Sequence, residues 1–223
     1  MAGKAAPGER GFRAQAAIAA VAASAAAAMA AAPSRADAAI RPPGARDEGD
    51  FAARCIRCGR CMEACPYQAI HADAGLNAAT AGMPLLDVRA QACRLCEDLP
   101  CIAACPTEAL HALTSREEVR MGVAVIRRDV CLAVRGMRCE VCYRACPLID
   151  SAIAIELRPR RGESTHALFE PIVNVEACTG CGLCVQRCPV SDPVVAVEIV
   201  RDKARAVARI EEEQARSFAG FDA

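Results

Sequence analysis

The fold of this chain is decided by Cys55-Ile56-Arg57-Cys58-Gly59-Arg60-Cys61-Met62-Glu63-Ala64-Cys65-Pro66. Its cysteines follow the pattern Cys-x2-Cys-x2-Cys-x3-Cys-Pro, and a second group repeats it: Cys178, Cys181, Cys184 and Cys188 with Pro189. A group with four residues in its second gap contains Cys93, Cys96, Cys101 and Cys105 with Pro106. A group with seven residues in its first gap contains Cys131, Cys139, Cys142 and Cys146 with Pro147. The four groups use all 16 cysteines.

This spacing is typical of sites for [4Fe-4S] clusters. Three cysteines two residues apart can wrap a loop around one cluster, whereas the fourth cysteine points away and serves a neighbouring cluster. The proline that follows it lacks a backbone N–H and keeps the cysteine extended, which fixes the exit direction. Gly59, Gly180 and Gly182 let the backbone pass close to a cluster. We therefore predict that all sixteen cysteines are ligands of four [4Fe-4S] clusters.

Other uses of cysteine fit the pattern less well. Cysteines this close in sequence cannot all pair sensibly in disulfides, although an even number in an exported chain keeps that alternative open. Zinc sites combine Cys-x2-Cys pairs separated by a longer loop, so zinc is also a poorer match. Covalent haem of the c type needs Cys-x-x-Cys-His. It is excluded because none of His71, His111 and His166 follows a cysteine.

The composition excludes further function classes. The chain of 223 residues has 27 basic and 27 acidic residues, so a zero net charge gives no electrostatic reason to bind nucleic acid. Trp is absent and aromatic residues make up 3% of the chain, which is typical of a protein organised around cofactors. No motif indicates a catalytic pocket. We predict an electron carrier that is not itself an enzyme.

Residues 1–38 are predicted to be an export signal. A basic start is followed by an alanine-rich apolar run at 14–32 and by Ala36-Asp37-Ala38, where a signal peptidase finds small residues. The mild hydrophobicity is typical of the twin-arginine route, which carries folded proteins. In Glu9-Arg10-Gly11-Phe12, however, glutamate stands where that signal has its first arginine. The predicted location is the periplasm. The alternatives are an uncleaved membrane anchor and, as the weaker one, a cytoplasmic protein with a low-complexity tail.

The remaining chain is predicted to be α+β, with short strands and helices around the clusters. We predict a linker at 39–54, of which residues 41–49 could instead be a loop draped over the domain, a four-cluster domain at 55–200, and a helix and tail at 201–223. Short helices are expected before each last cysteine, as at 62–64. Runs of β-branched residues predict strands at 122–126, 152–157, 172–175 and 194–200, and helical periodicity predicts a surface helix at 202–216.

Four cysteine groups predict two pseudo-symmetric ferredoxin units, because one unit is made of two groups that exchange their fourth ligands. The two regular groups are the first and last, so we pair the first with the fourth and the second with the third. The predicted ligand sets are Cys55, Cys58, Cys61 and Cys188; Cys178, Cys181, Cys184 and Cys65; Cys93, Cys96, Cys101 and Cys146; and Cys131, Cys139, Cys142 and Cys105.

Charged residues beside the first two groups allow two interpretations. Arg54, Arg57 and Arg60 flank the first group, and Glu97 and Asp98 lie in the second. The arginines could raise a cluster's reduction potential or mark a docking face for an acidic partner. The acidic pair could lower a potential. Alternatively, all five are solvated surface charges.

Several stretches resemble periplasmic ferredoxin-type proteins of the NapG/MauM family. They are Arg41-Pro42-Pro43-Gly44-Ala45, Cys55-Ile56-Arg57-Cys58-Gly59, Cys96-Glu97-Asp98 with Pro100-Cys101, Arg138-Cys139-Glu140-Val141-Cys142-Tyr143-Arg144, and Cys178-Thr179-Gly180-Cys181-Gly182. The resemblance covers nearly all of the predicted mature chain. It implies a four-cluster carrier, exported by the twin-arginine route, that works with a membrane-bound polyferredoxin of the NapH/MauN type as a quinol dehydrogenase.

The same resemblance implies two branches for the electrons. In one they reach periplasmic nitrate reductase, directly or through a c-type cytochrome. In the other they serve methylamine utilisation. The sequence at 138–144 favours the nitrate branch.

Two further functions remain open at the level of sequence. A four-cluster subunit of a molybdenum oxidoreductase, as in dimethyl sulfoxide reductase, would share the cysteine pattern, although such subunits usually cross the membrane with their partner's signal. A maturation factor would use its clusters in enzyme assembly. Stable association with a molybdenum subunit would indicate the first function, and reversible reduction by a quinol-linked partner would argue against the second.

Overall fold

The structure is a computed structural model that describes residues 39–75, 78–159 and 166–219, with side chains up to residue 216. The predicted export signal at 1–38 and the end of the predicted tail lie outside the described residues. No helix within the described ranges is long and apolar enough to cross a membrane.

Short helices alternate with small antiparallel strand pairs along the chain. The helices are α1 (Glu48–Arg54), α2 (Arg60–Glu63), α3 (Pro100–Ala103), α4 (Val141–Ala145), α5 (Leu183–Arg187) and α6 (Lys203–Ala219), with a 3-10 turn at Arg116–Glu118. The strand pairs are β1 (His71–Ala72) with β2 (Pro84–Leu85), β3 (Val123–Ile126) with β6 (Val197–Val200), and β4 (Ile153–Pro159) with β5 (Ala167–Val173). This mixture agrees with the predicted α+β class.

The cysteine groups set where the short helices begin and end. α2 and α5 follow Gly59 and Gly182, whose φ angles of 79° and 82° are left-handed and therefore suit glycine. α4 and α5 stop at Cys146 and Cys188, which adopt extended backbone angles. A proline follows each of these cysteines and disfavours a helical conformation before it. The short helices predicted before the last cysteines are therefore present.

The predicted strands are present with shifted limits. β3 matches its prediction, and β6 is shorter than predicted. β5 begins five residues before the predicted 172–175 segment, because its whole length pairs with β4 from Ile153↔Val173 to Pro159↔Ala167. α6 begins at Lys203, close to the predicted start, and packs against β3 and β6.

The prediction that residues 39–54 form a linker was wrong. Arg41 is 1% exposed, Pro42 and Pro43 are among the most deeply buried residues, and Phe51 of α1 is 0% exposed. Isolated bridges join Ile40 to Leu86 and Ala45 to Leu110. A composition rich in proline and charge resembles a linker, but here the charge of Arg41 is neutralised inside the fold.

Glu48 neutralises Arg41 and also binds a distant residue. The Arg41 guanidinium donates to both carboxylate oxygens of Glu48 and, over 3.0 Å, to the carbonyl of Pro84. Arg201, directly after β6, donates to the same carboxylate. Burial alone raises the pKa of Glu48, but the hydrogen bonds from Arg41 and Arg201 outweigh it and hold that pKa below its ordinary value. The N-terminal segment is thereby tied to the end of the last strand.

Candidate iron–sulfur sites

The first candidate site is a hollow of about 340 Å³, including space open to solvent, beneath the Cys55 loop. Four cysteines line it, and we call them set A: Cys55, Cys58, Cys61 and Cys105. Burial raises the pKa of Cys61 to about 11, and the neighbouring charges of Cys55, Cys105 and Cys58 add to the increase. Three cysteines of one group and the last cysteine of the next therefore face one space.

A second hollow of about 340 Å³ repeats this arrangement in the other half of the chain. Its cysteines are set D: Cys131, Cys139, Cys142 and Cys188. Burial raises the pKa of Cys142 to about 12, with further contributions from the charges of Cys131, Cys139 and Cys188.

Two more sets lie between these hollows. Set B contains Cys65, Cys93, Cys96 and Cys101, and set C contains Cys146, Cys178, Cys181 and Cys184. Burial raises the pKa of Cys101 to about 12, and the largest contribution from another charge comes from Cys65. Burial likewise raises the pKa of Cys181 to about 11, with Cys146 as the largest contribution from another charge.

The predicted pairing of the cysteine groups was wrong. The structure places Cys105, not Cys188, with Cys55, Cys58 and Cys61, and Cys65 joins the Cys93 group instead of the Cys178 group. In the same way, Cys188 of the fourth group joins the first three cysteines of the third group, and Cys146 of the third group joins those of the fourth. The reason is topological: α2 packs against α3 and α4 against α5. Groups that are consecutive in sequence are neighbours in space, as is usual for consecutive elements.

The four sets follow one another in the order A, B, C, D. Cys101 of set B lies near enough to Cys61 of set A for their charges to interact. The backbone N–H of Cys93 in set B donates to the carbonyl of Cys181 in set C over 3.0 Å. Cys184 of set C interacts in turn with Cys142 of set D. Sets A and D are therefore the ends of a row, and Cys58 of set A is the one cysteine classed as exposed.

Backbone N–H groups are already directed at several sulfurs. Ala69 donates to Cys65 Sγ over 3.3 Å, and Ala124 of β3 donates to Cys178 Sγ over 3.4 Å. Burial raises the pKa of Cys105, but hydrogen bonds from the backbone of Leu110 and Thr107 outweigh it, so that pKa is lowered. Hydrogen bonds to the sulfur ligands are one means by which a protein tunes the reduction potential of a cluster.

Two glycines of the fourth group pack against protein atoms. A Cβ at Gly182 would lie 2.3 Å from the Cβ of Val88, and a Cβ at Gly180 would lie 2.5 Å from the backbone N of Gly122. Their φ angles of 82° and 69° are also left-handed. Sequence reasoning found the glycines but missed Val88 and Gly122, since no local signal connects them to a cysteine loop.

The residues present fit [4Fe-4S] clusters. Four thiols line each of the hollows of sets A and D, as such clusters require, and all sixteen cysteines are free of disulfides. Within the described ranges, no three His, Cys, Asp or Glu side chains lie close enough to hold a single metal ion. The thiols of sets A and D instead line hollows of about 340 Å³.

The charged residues beside the first two groups have different surroundings. Arg54 pairs with Asp50 at 2.8 Å, and Arg57 donates to the carbonyl of Ala79 over 2.9 Å. Arg60 is exposed. The Glu97 side chain is 89% exposed and lies 3.9 Å from Arg116, which fits a solvated surface charge.

Comparison with protein families gives a match to the 4Fe-4S dicluster domain. The domain model matches residues 54–109 and again residues 135–191. The first match contains the first and second cysteine groups. The second match contains the fourth group and three cysteines of the third group, without Cys131, so the first group is paired with the second and the third with the fourth. This division agrees with the exchange of fourth cysteines in the structure.

Characterised relatives carry the same kind of name. The chain is 42% identical over 145 residues to ferredoxin-type protein NapG of Escherichia coli, which covers 64% of this chain and 63% of that protein. It is 39% identical over 153 residues to the methylamine utilization ferredoxin-type protein MauM of Methylophilus methylotrophus, covering 67% and 66%. It is 30% identical to ferredoxin-type protein NapF of E. coli, covering 66% and 79%. The chain thus spans somewhat less than two thirds of the NapG protein.

Proposed function

The chain belongs to the NapG/MauM family of ferredoxin-type iron–sulfur proteins with 4Fe-4S dicluster domains, and we propose that it relays electrons from a membrane-bound quinol-oxidising partner toward periplasmic nitrate reductase. In this proposal the chain holds four [4Fe-4S] clusters, one in each of sets A to D. It contributes no catalytic residue of its own. It forms one component of a quinol dehydrogenase system.

The observation that carries the proposal is the continuous row of cysteine sets. Bound clusters would supply one-electron redox chemistry. The chain's own residues hold each set in place and keep sets B and C inside the row. The bond from Cys93 to Cys181 spans the junction between the two dicluster regions over 3.0 Å. A row with two ends suits transfer between two partners better than storage at one site.

The proposed location and partners follow from the predicted signal and the family. We place the protein in the periplasm, exported already folded by a twin-arginine-type signal at 1–38, because clusters are inserted before export. A membrane polyferredoxin of the NapH/MauN type is the proposed electron donor. Through this partner the chain would associate with the membrane. A c-type cytochrome or the nitrate reductase itself is the proposed acceptor.

The cofactor content can be tested on the anaerobically purified protein. We expect about sixteen iron and sixteen sulfide per chain, since four clusters of the [4Fe-4S] type have this composition. Reduction by quinol should require membranes that contain the polyferredoxin. A content of about eight iron, or reduction by quinol without any membrane partner, would contradict the proposal.

The physiological branch is tested by deleting the gene and measuring quinol-dependent reduction of periplasmic nitrate, with a complemented strain as the control. We expect nitrate flux to fall and complementation to restore it. Growth on methylamine is scored in the same strains. Unchanged nitrate flux with lost growth on methylamine would assign the chain to the second branch.

Methylamine utilisation is the second candidate because the MauM relatives are nearly as similar as NapG. Identity to MauM of M. methylotrophus is 39%, against 42% for NapG of E. coli. The cysteine sets would serve either acceptor, so the difference between the branches lies in the partner alone.

A further inference from the structure

The third cysteine group contains more chain than a cluster loop needs. Two residues separate the first two cysteines in each of the other groups, whereas residues 132–138 separate Cys131 from Cys139. We call residues 132–138 the D loop, because it belongs to set D at one end of the row. Five of its seven residues are surplus to the spacing of the other groups.

The first half of the D loop is buried and held by backbone hydrogen bonds. Ala133 is 1% exposed, and Val134 is also buried, in a small apolar cluster with Cys131. The N–H of Arg135 donates to the carbonyl of Cys131 over 3.0 Å, and the N–H of Met137 donates to that of Leu132 over 2.9 Å. The loop is thus held in one conformation. A surface that is already ordered loses little conformational entropy when a partner binds.

The outer half of the D loop carries an exposed apolar side chain between two cations. Met137 is 58% exposed, and Arg135 and Arg138 on either side are also exposed. Val141, another exposed apolar residue, lines the set D hollow. Methionine and arginine are enriched at the centres of protein interfaces. The exposed apolar residues therefore lie beside the outermost cysteine set, since Val141 lines its hollow and Met137 is two residues before Cys139.

Positive charge exceeds negative charge around Met137. Arg135 is exposed and forms no ion pair with any described residue. Arg138 and Arg144 are exposed too, and they share one carboxylate, that of Glu140. Three arginines of this stretch of chain are thus accompanied by one glutamate.

The carboxylate just before the loop in sequence is already engaged. Asp129 pairs with Arg127 at 3.2 Å. This ion pair does not involve the D loop arginines. The face that a partner meets is consequently cationic, with an apolar centre.

We propose that the D loop is the docking surface for an acidic electron-transfer protein, with Met137 at the centre of the contact and Arg135 and Arg138 beside it. This inference rests on the proposed electron-transfer function. It adds to that function which end of the row meets a partner and which charge that partner carries. Opposite charges accelerate the encounter of two proteins and fix their orientation. An anionic membrane is the weaker match, since interfacial segments use a broad apolar face with Trp, Phe or Leu, whereas the D loop exposes one large apolar side chain, that of Met137.

The experiment uses the purified holoprotein, reduced with dithionite, and two one-electron acceptors: an acidic and a basic c-type cytochrome. In each transfer the protein loses one electron and the ferric haem becomes ferrous. Stopped-flow absorbance gives the second-order rate at low and high salt. Arg135→Glu removes one cation from the D loop, and Arg205→Glu on exposed α6 is the matched control for the same change of charge.

We expect the acidic cytochrome to react faster at low salt and to slow as salt is added. Arg135→Glu should lower its rate by about tenfold at low salt, within the range of electrostatic steering, and Met137→Ser should lower it at every salt concentration. Arg205→Glu should change it by less than about twofold. Equal effects of the two charge reversals, or a preference for the basic cytochrome, would overturn the proposal.

Calorimetric titration with the oxidised acidic cytochrome separates docking from electron transfer. Binding that Arg135→Glu weakens, without any reduction of haem, would support the docking surface and contradict the proposed function. Reduction that Arg135→Glu leaves unchanged would support the function and overturn the docking surface. Binding to anionic phospholipid vesicles, with none to the cytochrome, would likewise overturn it in favour of a membrane.

Discussion

The backbone N–H of Cys93 donates to the carbonyl of Cys181 over 3.0 Å, and this bond joins the second cysteine group to the fourth. The two residues lie in different dicluster regions. Their contact turns two separate pairs of cysteine sets into one row. The continuity of any electron path through the chain therefore depends on the geometry of this junction.

The exchange of fourth cysteines can be checked with double mutants. Cys55→Ala alone should alter one cluster. Adding Cys105→Ala should leave the damage confined to that cluster, because both residues belong to set A. Adding Cys188→Ala should alter a second cluster, since Cys188 belongs to set D. Electron paramagnetic resonance of the reduced proteins counts the altered centres. If the double mutant with Cys188→Ala had one altered centre and the double mutant with Cys105→Ala had two, the pairing expected from spacing would be correct instead.

Arg89 is predicted to strengthen the junction between the halves. Its guanidinium donates to the carbonyls of Val185 and Cys188 over 2.6 and 3.2 Å. Arg89→Ala should lower the free energy of unfolding by about 1–2 kcal/mol, as expected for hydrogen bonds from a charged donor. Exposed Arg187, for which no such bond is found among the described residues, provides the control in Arg187→Ala. Denaturant titration of both variants makes the comparison, and equal midpoints would exclude this role.

Gly182→Ala is predicted to be much more harmful than Gly59→Ala. Both glycines follow the second cysteine of a regular group and have φ near 80°. At Gly59 the nearest atom to a new Cβ is the flexible Met62 Cε at 3.4 Å, whereas at Gly182 it is Val88 Cβ at 2.3 Å. We expect losses of about 1–2 kcal/mol at Gly59 from the backbone alone and about 3 kcal/mol or more at Gly182 with overpacking added. Combining Gly182→Ala with Val88→Gly should cost less than the sum of the two single changes, as measured by thermal unfolding.

Glu48→Gln is predicted to destabilise the protein at neutral pH by about 3 kcal/mol, because it leaves buried Arg41 without its counter-charge. The pKa of Glu48 is lowered in the folded protein. Its stabilising effect is therefore complete above the ordinary value of 4.5 and is lost as the pH falls through the lowered folded-state pKa. The difference in stability between wild type and variant should be constant from neutral pH down to about 5 and should shrink below about 4.5.

The control for this prediction is Glu176→Gln. Glu176 pairs with Lys203 at 2.6 Å, but both side chains are exposed. Circular dichroism during urea titration at several pH values gives the stability of each variant. Acid damage to the cysteine sites affects all variants alike and cancels in the differences. A difference for Glu48→Gln that persists at pH 3 would show that its effect is steric rather than electrostatic.

Local features of this fold could be read from the sequence, and long-range ones could not. The Cys-Pro sequence at the end of each group correctly indicated the residues at which α4 and α5 stop, because proline restricts the conformation of the residue directly before it. The β-branched run in the segment 122–126 predicted a strand, which the structure has at Val123–Ile126, since its pattern is complete within a few residues. Both signals lie inside the element that they specify.

The exchange of fourth cysteines depends on contacts that spacing does not encode. Regular spacing favoured a pairing of the first group with the fourth, but spacing describes only how one loop holds three ligands. The position of Cys105 beside Cys55 follows instead from the packing of α2 against α3. Arg41 was misjudged for the same reason, because its partners Glu48 and Arg201 make a charged segment part of the interior.

The carboxylate of Glu48 also has a consequence for the order of events during synthesis. Glu48 and Arg201 are 153 residues apart, so the ribosome must extend the chain past residue 201 before the pair can form. Until then Arg41 and the prolines after it lack part of the surroundings that bury them. The segment that begins the described fold is therefore among the last to reach its final contacts. It completes them only in a molecule whose strand β6 is already in place.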